Sequence, residues 1–540
     1  MKAVETRKVN FGGTKMKKMC ALVLALMLCC GLFAGCQQTP VASSAATDAV
    51  SQTQQKPAVE KQLKYVFLFI GDGMSYPQIQ VTSDYLGAME QDPESDILTG
   101  PKKLTMMDFP VAGSATTFDS TSFCPDSAST ATSIATGHKT YSGSINVDET
   151  GTVSYETITE KLKDQLGYKI GVISSVNINH ATPAAFYAHQ VSRNNYYEIS
   201  NEMIESGFDY FAGGGLKQTT GENKDQEDSY TLAEKAGYKV IKTQAEAEAL
   251  TAEDGKAIVI AETLADSDAC SYENDRAEEE WALADFVEKG IEVLDNEKGF
   301  FMMVEGGKID WACHANDAGS TIADTIALDN AVDKAVEFYN EHPEETLILV
   351  TGDHETGGLT IGYAGTDYDT FLSNMDSQKL SYAKYDSDYV AKYKEEGTDF
   401  DTVMADITEL FGLVPPTEGQ VETEATMDSA DKHPESEDTG SLVMTQYEYD
   451  KLKAAYETTM SRTGEEEIGQ EEYVLYGSYE PLTVTITHIL NNKSGINFAS
   501  YAHTGLPVAV FAKGNGQELF EGYYDNTEIY TKMATLLGVQ

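Results

Sequence analysis

An α/β fold, with a central mostly parallel sheet flanked by helices and an inserted helical and acidic cap segment, is predicted by three observations. Short apolar strands alternate with helical stretches from Tyr65 onward, and most of these strands run directly into polar residues fit for chemistry. Between about residues 365 and 472 the alternation breaks, and charged residues displace the apolar period. At 540 residues with 41% hydrophobic content, the chain can bury a large core, and one large domain with insertions fits better than several small ones.

The N-terminal element is an export signal. Lys17 and Lys18 precede an apolar run from about residue 21 to 34, too short for a comfortable membrane span, and polar residues follow. Small residues before Cys36 resemble a bacterial lipoprotein cleavage site. Residues 1–36 are therefore expected to be removed up to Cys36, which becomes the lipidated first residue of the mature chain and its membrane anchor. Phe33 departs from the usual Leu or Val at that position, so plain secretion is the alternative. Either route is expected to place the protein outside the cytoplasm, in the cell envelope or beyond it. The Lys-rich start lies at Met16, which makes residues 1–15 a candidate for an overlong start. Residues 37–62, rich in Gln, Ala, Ser and Thr, read as a flexible tether to a folded domain over 63–540.

Four of the seven cysteines (Cys20, Cys29, Cys30, Cys36) belong to the signal. Cys124, Cys270 and Cys313 permit one disulfide at most, so the protein is no disulfide scaffold, and unpaired buried thiols are the preferred reading for those beside the motifs. The net charge of −49 argues against nucleic acid as a partner, because a phosphate backbone would be repelled. Small phosphate compounds remain compatible, since bound dications can reverse the potential inside an acidic shell.

Strands are expected over 65–70, 169–174, 300–304, 346–350 and 507–511. The first four end beside Asp72, the segment around Asn177 to Thr182, Glu305, and the pair Asp353-His354, whereas the last is preceded by His503. Sites in open α/β sheets lie beyond the carboxyl ends of the strands, so these scattered positions converge. In the inserted segment, helices expected over 402–411 and 442–460 flank an acidic stretch at 417–441, read as part of a cap with a mobile middle.

In Asp126-Ser127-Ala128-Ser129-Thr130-Ala131, one serine stands between a carboxylate and a small-residue helix start. Alone this reads as a helix N-cap. Asp310 and His314 are four residues apart, which puts both on one helix face, and Asp353-His354 alone would pass for a polar turn. Phosphoryl transfer to a serine needs a deprotonated hydroxyl, a cationic clamp on the nonbridging oxygens and stabilisation of the leaving oxygen. Two metal ions about 4 Å apart can meet all three needs.

Together with Gly71-Asp72-Gly73-Met74-Ser75 and His503-Thr504-Gly505, these motifs resemble the alkaline phosphatase family over about residues 65–537. The resemblance implies Ser127 as a nucleophile forming a phosphoserine and Arg193, eleven residues after Thr182, as the arginine that grips phosphate. It implies one zinc on Asp310, His314 and His503, a second on Asp72, Asp353 and His354, and a magnesium on Glu305, Thr182 and a second oxygen of Asp72. His180 and Trp311 stand where well-known bacterial members carry an aspartate and a lysine. Other members share this pair. An imidazole near the third site admits zinc or cobalt there, and loss of the lysine is expected to ease phosphate release. A homodimer is implied by the resemblance alone.

The function expected is an exported metal-dependent phosphomonoesterase acting on small phosphate monoesters. A sulfatase is disfavoured, because Cys124-Pro125-Asp126-Ser127 lacks the Cys/Ser-x-Pro-x-Arg spacing, and a phosphodiesterase usually lacks the full third-metal set. A lipid-anchored metal- or phosphate-binding protein without turnover would have no need of a nucleophile.

Overall fold

The computed structural model describes residues 62–92, 95, 97–366, 368–417, 441–463 and 467–540. The expected export signal, nearly all of the expected tether and most of the acidic stretch lie outside the described residues. Ten strands form one sheet: β1 (Tyr65–Gly71), β2 (Val111–Thr116), β3 (Lys169–Asn177), β4 (Tyr210–Gly214), β5 (Lys239–Ile241), β6 (Ala257–Ile260), β7 (Phe300–Gly306), β8 (Thr346–Gly352), β9 (Val508–Gly514) and β10 (Gly522–Asp525). Their order across the sheet is β10-β2-β9-β8-β1-β7-β3-β4-β6-β5.

Strand β1 is buried on both faces, which explains its unbroken apolar run. Tyr65, Phe67 and Phe69 enter one core cluster while Val66, Leu68 and Ile70 enter the other. The first cluster lies against the long helix Ala318–Glu341, and the second against Ser127–Thr136. All five strands read from the sequence are present, each extending one to three residues further at its C-terminal end, the last beginning one residue later.

β1 pairs in parallel with β7 and β8 so that Gly71, Gly306 and Gly352 are level, and Ser174 of β3 is level with Glu305. The residues at or just past these ends, Asp72, Glu305 and Asp353, are therefore held at one edge of the sheet. β9 alone runs against its neighbours β8 and β2. Reversal of this strand explains why its polar candidate precedes it: the start of an antiparallel strand lies where its neighbours end. The short pairing of His503–Thr504 with Glu355–Thr356 fixes His503 opposite Thr356 at that edge.

In the inserted segment, helices cover Phe400–Phe411 and Gln446–Ser461, the second beginning four residues later than expected because Thr445 caps it. Tyr385, Tyr393, Val403, Ile407 and Phe411 join the same core cluster as β1. Those helices are thus continuous with the main core. Asp386 sits among them, accepting a hydrogen bond from the Thr483 hydroxyl. Burial pushes its carboxyl up to about 7, with Glu480 adding to the shift and Lys394 opposing it. A raised folded pKa means the native state holds this proton more tightly, so stability is lost as pH rises from about 4 through about 7. Asp386→Asn keeps the acceptor and removes the charge. It should gain roughly 2–4 kcal/mol over the native protein at pH 9 and little at pH 4, read from denaturant unfolding at both values. Parallel pH profiles for the two proteins would contradict this.

Candidate active site

Asp72 follows β1 in a turn that needs glycine at the next position. Gly73 has φ of +72°, and a Cβ there would lie 2.9 Å from both the Asp310 Cα and the Thr356 Oγ1. This close approach brings the β1 turn against the helix Lys308–His314. The Gly73 amide donates to Asp353 Oδ1 at 3.2 Å, tying the turn to the end of β8.

Ser127 occupies the first position of the helix Ser127–Thr136 and is 1% exposed. The N-cap is Asp126, whose Oδ1 accepts from the Ser129 amide at 3.1 Å, so the serine side chain is free of capping duty. Its Oγ lies 3.1 Å from His354 Nε2 and 3.4 Å from Asp72 Oδ1. Asp126 also receives Arg193 Nη1 at 3.0 Å. Burial alone would push the Asp126 carboxyl up, but Arg193 and the amides of Gly143 and Ser129 together pull it below its usual value. The guanidinium is thereby held beside Ser127 on the part of the site less closed to solvent.

Three groups of side chains have ligand atoms within 4.8 Å of one another: Asp310, His314 and His503; Asp72, Asp353 and His354; and Asp72, His180 and Glu305. In the first, His314 Nδ1 is 2.7 Å from the Tyr501 carbonyl and His503 Nδ1 is 2.5 Å from the Pro125 carbonyl. A carbonyl only accepts, so both Nδ1 atoms carry the proton and both Nε2 atoms present lone pairs. These Nε2 atoms face each other at 3.1 Å. Two acceptors at that distance call for a shared cation.

In the second group, His354 Nε2 lies 3.2 Å from Asp72 Oδ1 and 3.5 Å from Asp353 Oδ2. Burial pushes the Asp353 carboxyl up to about 8, and the nearby Asp72 adds to the effect. The third group holds two buried atoms with no hydrogen-bond partner, Glu305 Oε1 and His180 Nδ1. Burial, then Asp72, drives the Glu305 carboxyl well above the usual range. Thr182 Oγ1 donates to Asp72 Oδ2 at 3.3 Å, which brings it to the same group. Four buried acids, imidazole lone pairs and orphaned polar atoms together fit divalent cations.

All ten expected ligand and catalytic positions therefore meet at one edge of the sheet, with His180 inside the third group. Trp311 packs edge-on against His180 with ring centroids 5.9 Å apart. The fully buried Lys308 ammonium lies 4.7 Å from the Trp311 ring centroid, 4.1 Å from that of Tyr272, and 2.6 Å from Asp266 Oδ1. The indole therefore packs against a desolvated cation that is already paired with a carboxylate.

Residues that sequence reasoning passed over hold the ligands in place. Thr356 Oγ1 donates to Asp310 Oδ1 at 2.5 Å, Thr130 Oγ1 donates to Asp353 Oδ2 at 3.1 Å, and the Ser174 hydroxyl donates to Glu305. Hydroxyl residues are too common for such roles to stand out in a sequence. The reading of unpaired buried thiols holds for Cys313 but fails for Cys124, which is exposed, because the loop before Asp126 lies on the surface.

A family model described as alkaline phosphatase matches residues 63–539. Alkaline phosphatase 4 of Bacillus subtilis (strain 168) is 27% identical over 533 residues, covering 97% of each chain. Among solved structures, a cold-active alkaline phosphatase from a psychrophilic Shewanella species aligns with a TM-score of 0.67 at 26% identity, covering 88% of this chain and 99% of that one. The alkaline phosphatase of Thermus thermophilus aligns in fold with a TM-score of 0.69 at 21% identity, over 92% of this chain and 96% of its own.

Proposed function

From a chain that belongs to the alkaline phosphatase family, phosphoric monoester hydrolases that use metal ions, we infer an exported phosphomonoesterase that works through a phosphoserine at Ser127. The observation that carries this reading is the Ser127 hydroxyl, buried at a helix N-terminus within 3.4 Å of both Asp72 and His354. Asp310, His314 and His503 would hold one zinc, and Asp72, Asp353 and His354 a second. Asp72, Glu305 and His180, with Thr182, would hold a magnesium, or a zinc or cobalt favoured by the imidazole. When bound, such cations neutralise the phosphoryl oxygens and lower the pKa of the serine hydroxyl and of the incoming water.

Ser127 Oγ attacks phosphorus as the ester oxygen departs with the leaving group, forming the O–P bond of a phosphoserine. Water then attacks that phosphorus, breaking the bond to Ser127 and releasing inorganic phosphate. The start of the helix, where the Ser129 amide is taken by Asp126, offers the remaining positive end of its dipole to the phosphoryl group, and the Arg193 fork, oriented by Asp126, would grip two of its oxygens. Arg193→Lys keeps the charge but loses the planar fork, so the inhibition constant for inorganic phosphate should rise about tenfold.

Turnover of p-nitrophenyl phosphate, its bis ester and p-nitrophenyl sulfate by purified protein tests the reaction class. Preference for the monoester supports the reading. Preference for the diester or the sulfate, or no turnover of any of them by metal-replete protein, would overturn it.

The export signal and a lipid on Cys36 complete the proposal. Among the described residues no helix is long and apolar enough to cross a membrane; the lipid on Cys36 is proposed as the membrane attachment. Cys36→Ser should shift the enzyme from the detergent-released membrane fraction to the soluble fraction. A mature N-terminus at another residue, without lipid, would leave simple secretion.

A further inference from the structure

A second cavity of about 500 Å³ opens beyond the end of β6, and its lining includes none of the residues assigned above to catalysis or metals. Its floor is apolar, built from Val259, Ala261, Leu283 and Phe286 with Trp281 at the side. Carboxylates surround the opening: Glu248, Glu262, Glu279 and Glu280 all line it. Arg276 is the one basic side chain among the described residues of the lining, and it is already committed. It clasps both oxygens of Glu273, at 2.9 and 2.7 Å, and donates to the Glu280 carbonyl at 2.8 Å.

Deep in the cavity lies Asp324, only 6% exposed. One of its oxygens accepts the Glu273 amide at 3.3 Å. Burial drives its carboxyl well above the usual range. Lys308 pulls the other way, but that ammonium is engaged 2.6 Å away from Asp266. A buried acid facing a cavity whose one basic side chain is bound elsewhere is unfavourable when ionised, and an incoming cation would relieve the cost.

We propose that this cavity is a binding site for a small organic cation, an ammonium group on an aromatic or aliphatic body, with the body on the Trp281 and Phe286 floor and the charge toward Asp324. The volume is that of a small-molecule site, and among the described residues Asp324 belongs to no group of three side chains placed to hold a metal ion. Rim carboxylates raise the local concentration of cations and disfavour anions, phosphate esters included.

The test is calorimetry with three probes of one shape on the metal-replete enzyme: 2-phenylethylammonium, 2-phenylethanol and phenylacetate. Saturable one-to-one binding of the ammonium is expected, at least about tenfold tighter than the alcohol, with the carboxylate weaker still. Inorganic phosphate should not displace it. Asp324→Asn should weaken ammonium binding about tenfold or more. Ala245→Trp, at an exposed position of the mouth, should block entry while turnover of p-nitrophenyl phosphate is unchanged. If the buried substitution prevents folding, Ala245→Trp and the exposed Glu262→Gln decide the matter. Equal affinity for the three probes, no saturable binding, displacement by phosphate, displacement by calcium alone, or full binding in the blocked variant would each overturn the proposal.

Discussion

Ser127→Ala is expected to lower kcat for p-nitrophenyl phosphate by on the order of 10³- to 10⁵-fold, with fold and metal content retained. The structure separates these effects. Helix capping at this site belongs to Asp126, and among the described residues the hydrogen-bond partners of the serine hydroxyl are Asp72 and His354. Its removal therefore takes the attacking atom and leaves the packing of Ala128, Ala131 and Ile134 untouched. Thermal unfolding of the variant should match the parent within a few degrees, which distinguishes loss of the nucleophile from loss of the fold. Acid quenching during turnover should trap phosphate on the peptide containing Ser127. Recovery of that phosphate on any peptide lacking Ser127 would sink the assignment.

Removal of metal ions is expected to abolish activity and also to lower the unfolding temperature by roughly 10 °C, an effect of several kcal/mol. The cause of the second effect is visible at the sheet edge. Asp72, Asp353, Asp310 and Glu305 are almost fully buried, and Asp72 belongs to two of the three candidate groups. Without cations the facing lone pairs of His314 and His503 and the clustered acids repel, or the acids take up protons. Chelation followed by dialysis, with metal content measured at each step, should give an inactive and less stable protein. Zinc with magnesium should restore both properties. Full activity at a metal content near zero would reject the requirement.

Much of this site is legible from local chemistry. Asp72, Glu305 and Asp353 fall at or within a residue of strand ends, and a parallel sheet collects such ends along one edge. His314 follows from helical spacing to Asp310. The hydroxyls of Thr130, Ser174 and Thr356 carry no such mark, because each reaches its carboxylate from a distant part of the chain. Trp311 is a further case: the sequence marks the missing lysine, but only packing reveals Lys308 beneath the ring.

The sequence by itself determined the apolar periods that make the strands, the acidic balance that disfavours nucleic acid, and the ordered set of residues that resembles one enzyme family. Those properties depend on neighbouring residues along the chain. Only the tertiary structure decided that β9 runs backwards and so delivers His503 to the site, and that the inserted helices share the main core. It also decided that Asp324 faces a separate cavity while Cys124 lies at the surface. Strand direction, burial and the distance between remote side chains are set by packing the whole chain at once, and no local window of sequence contains them.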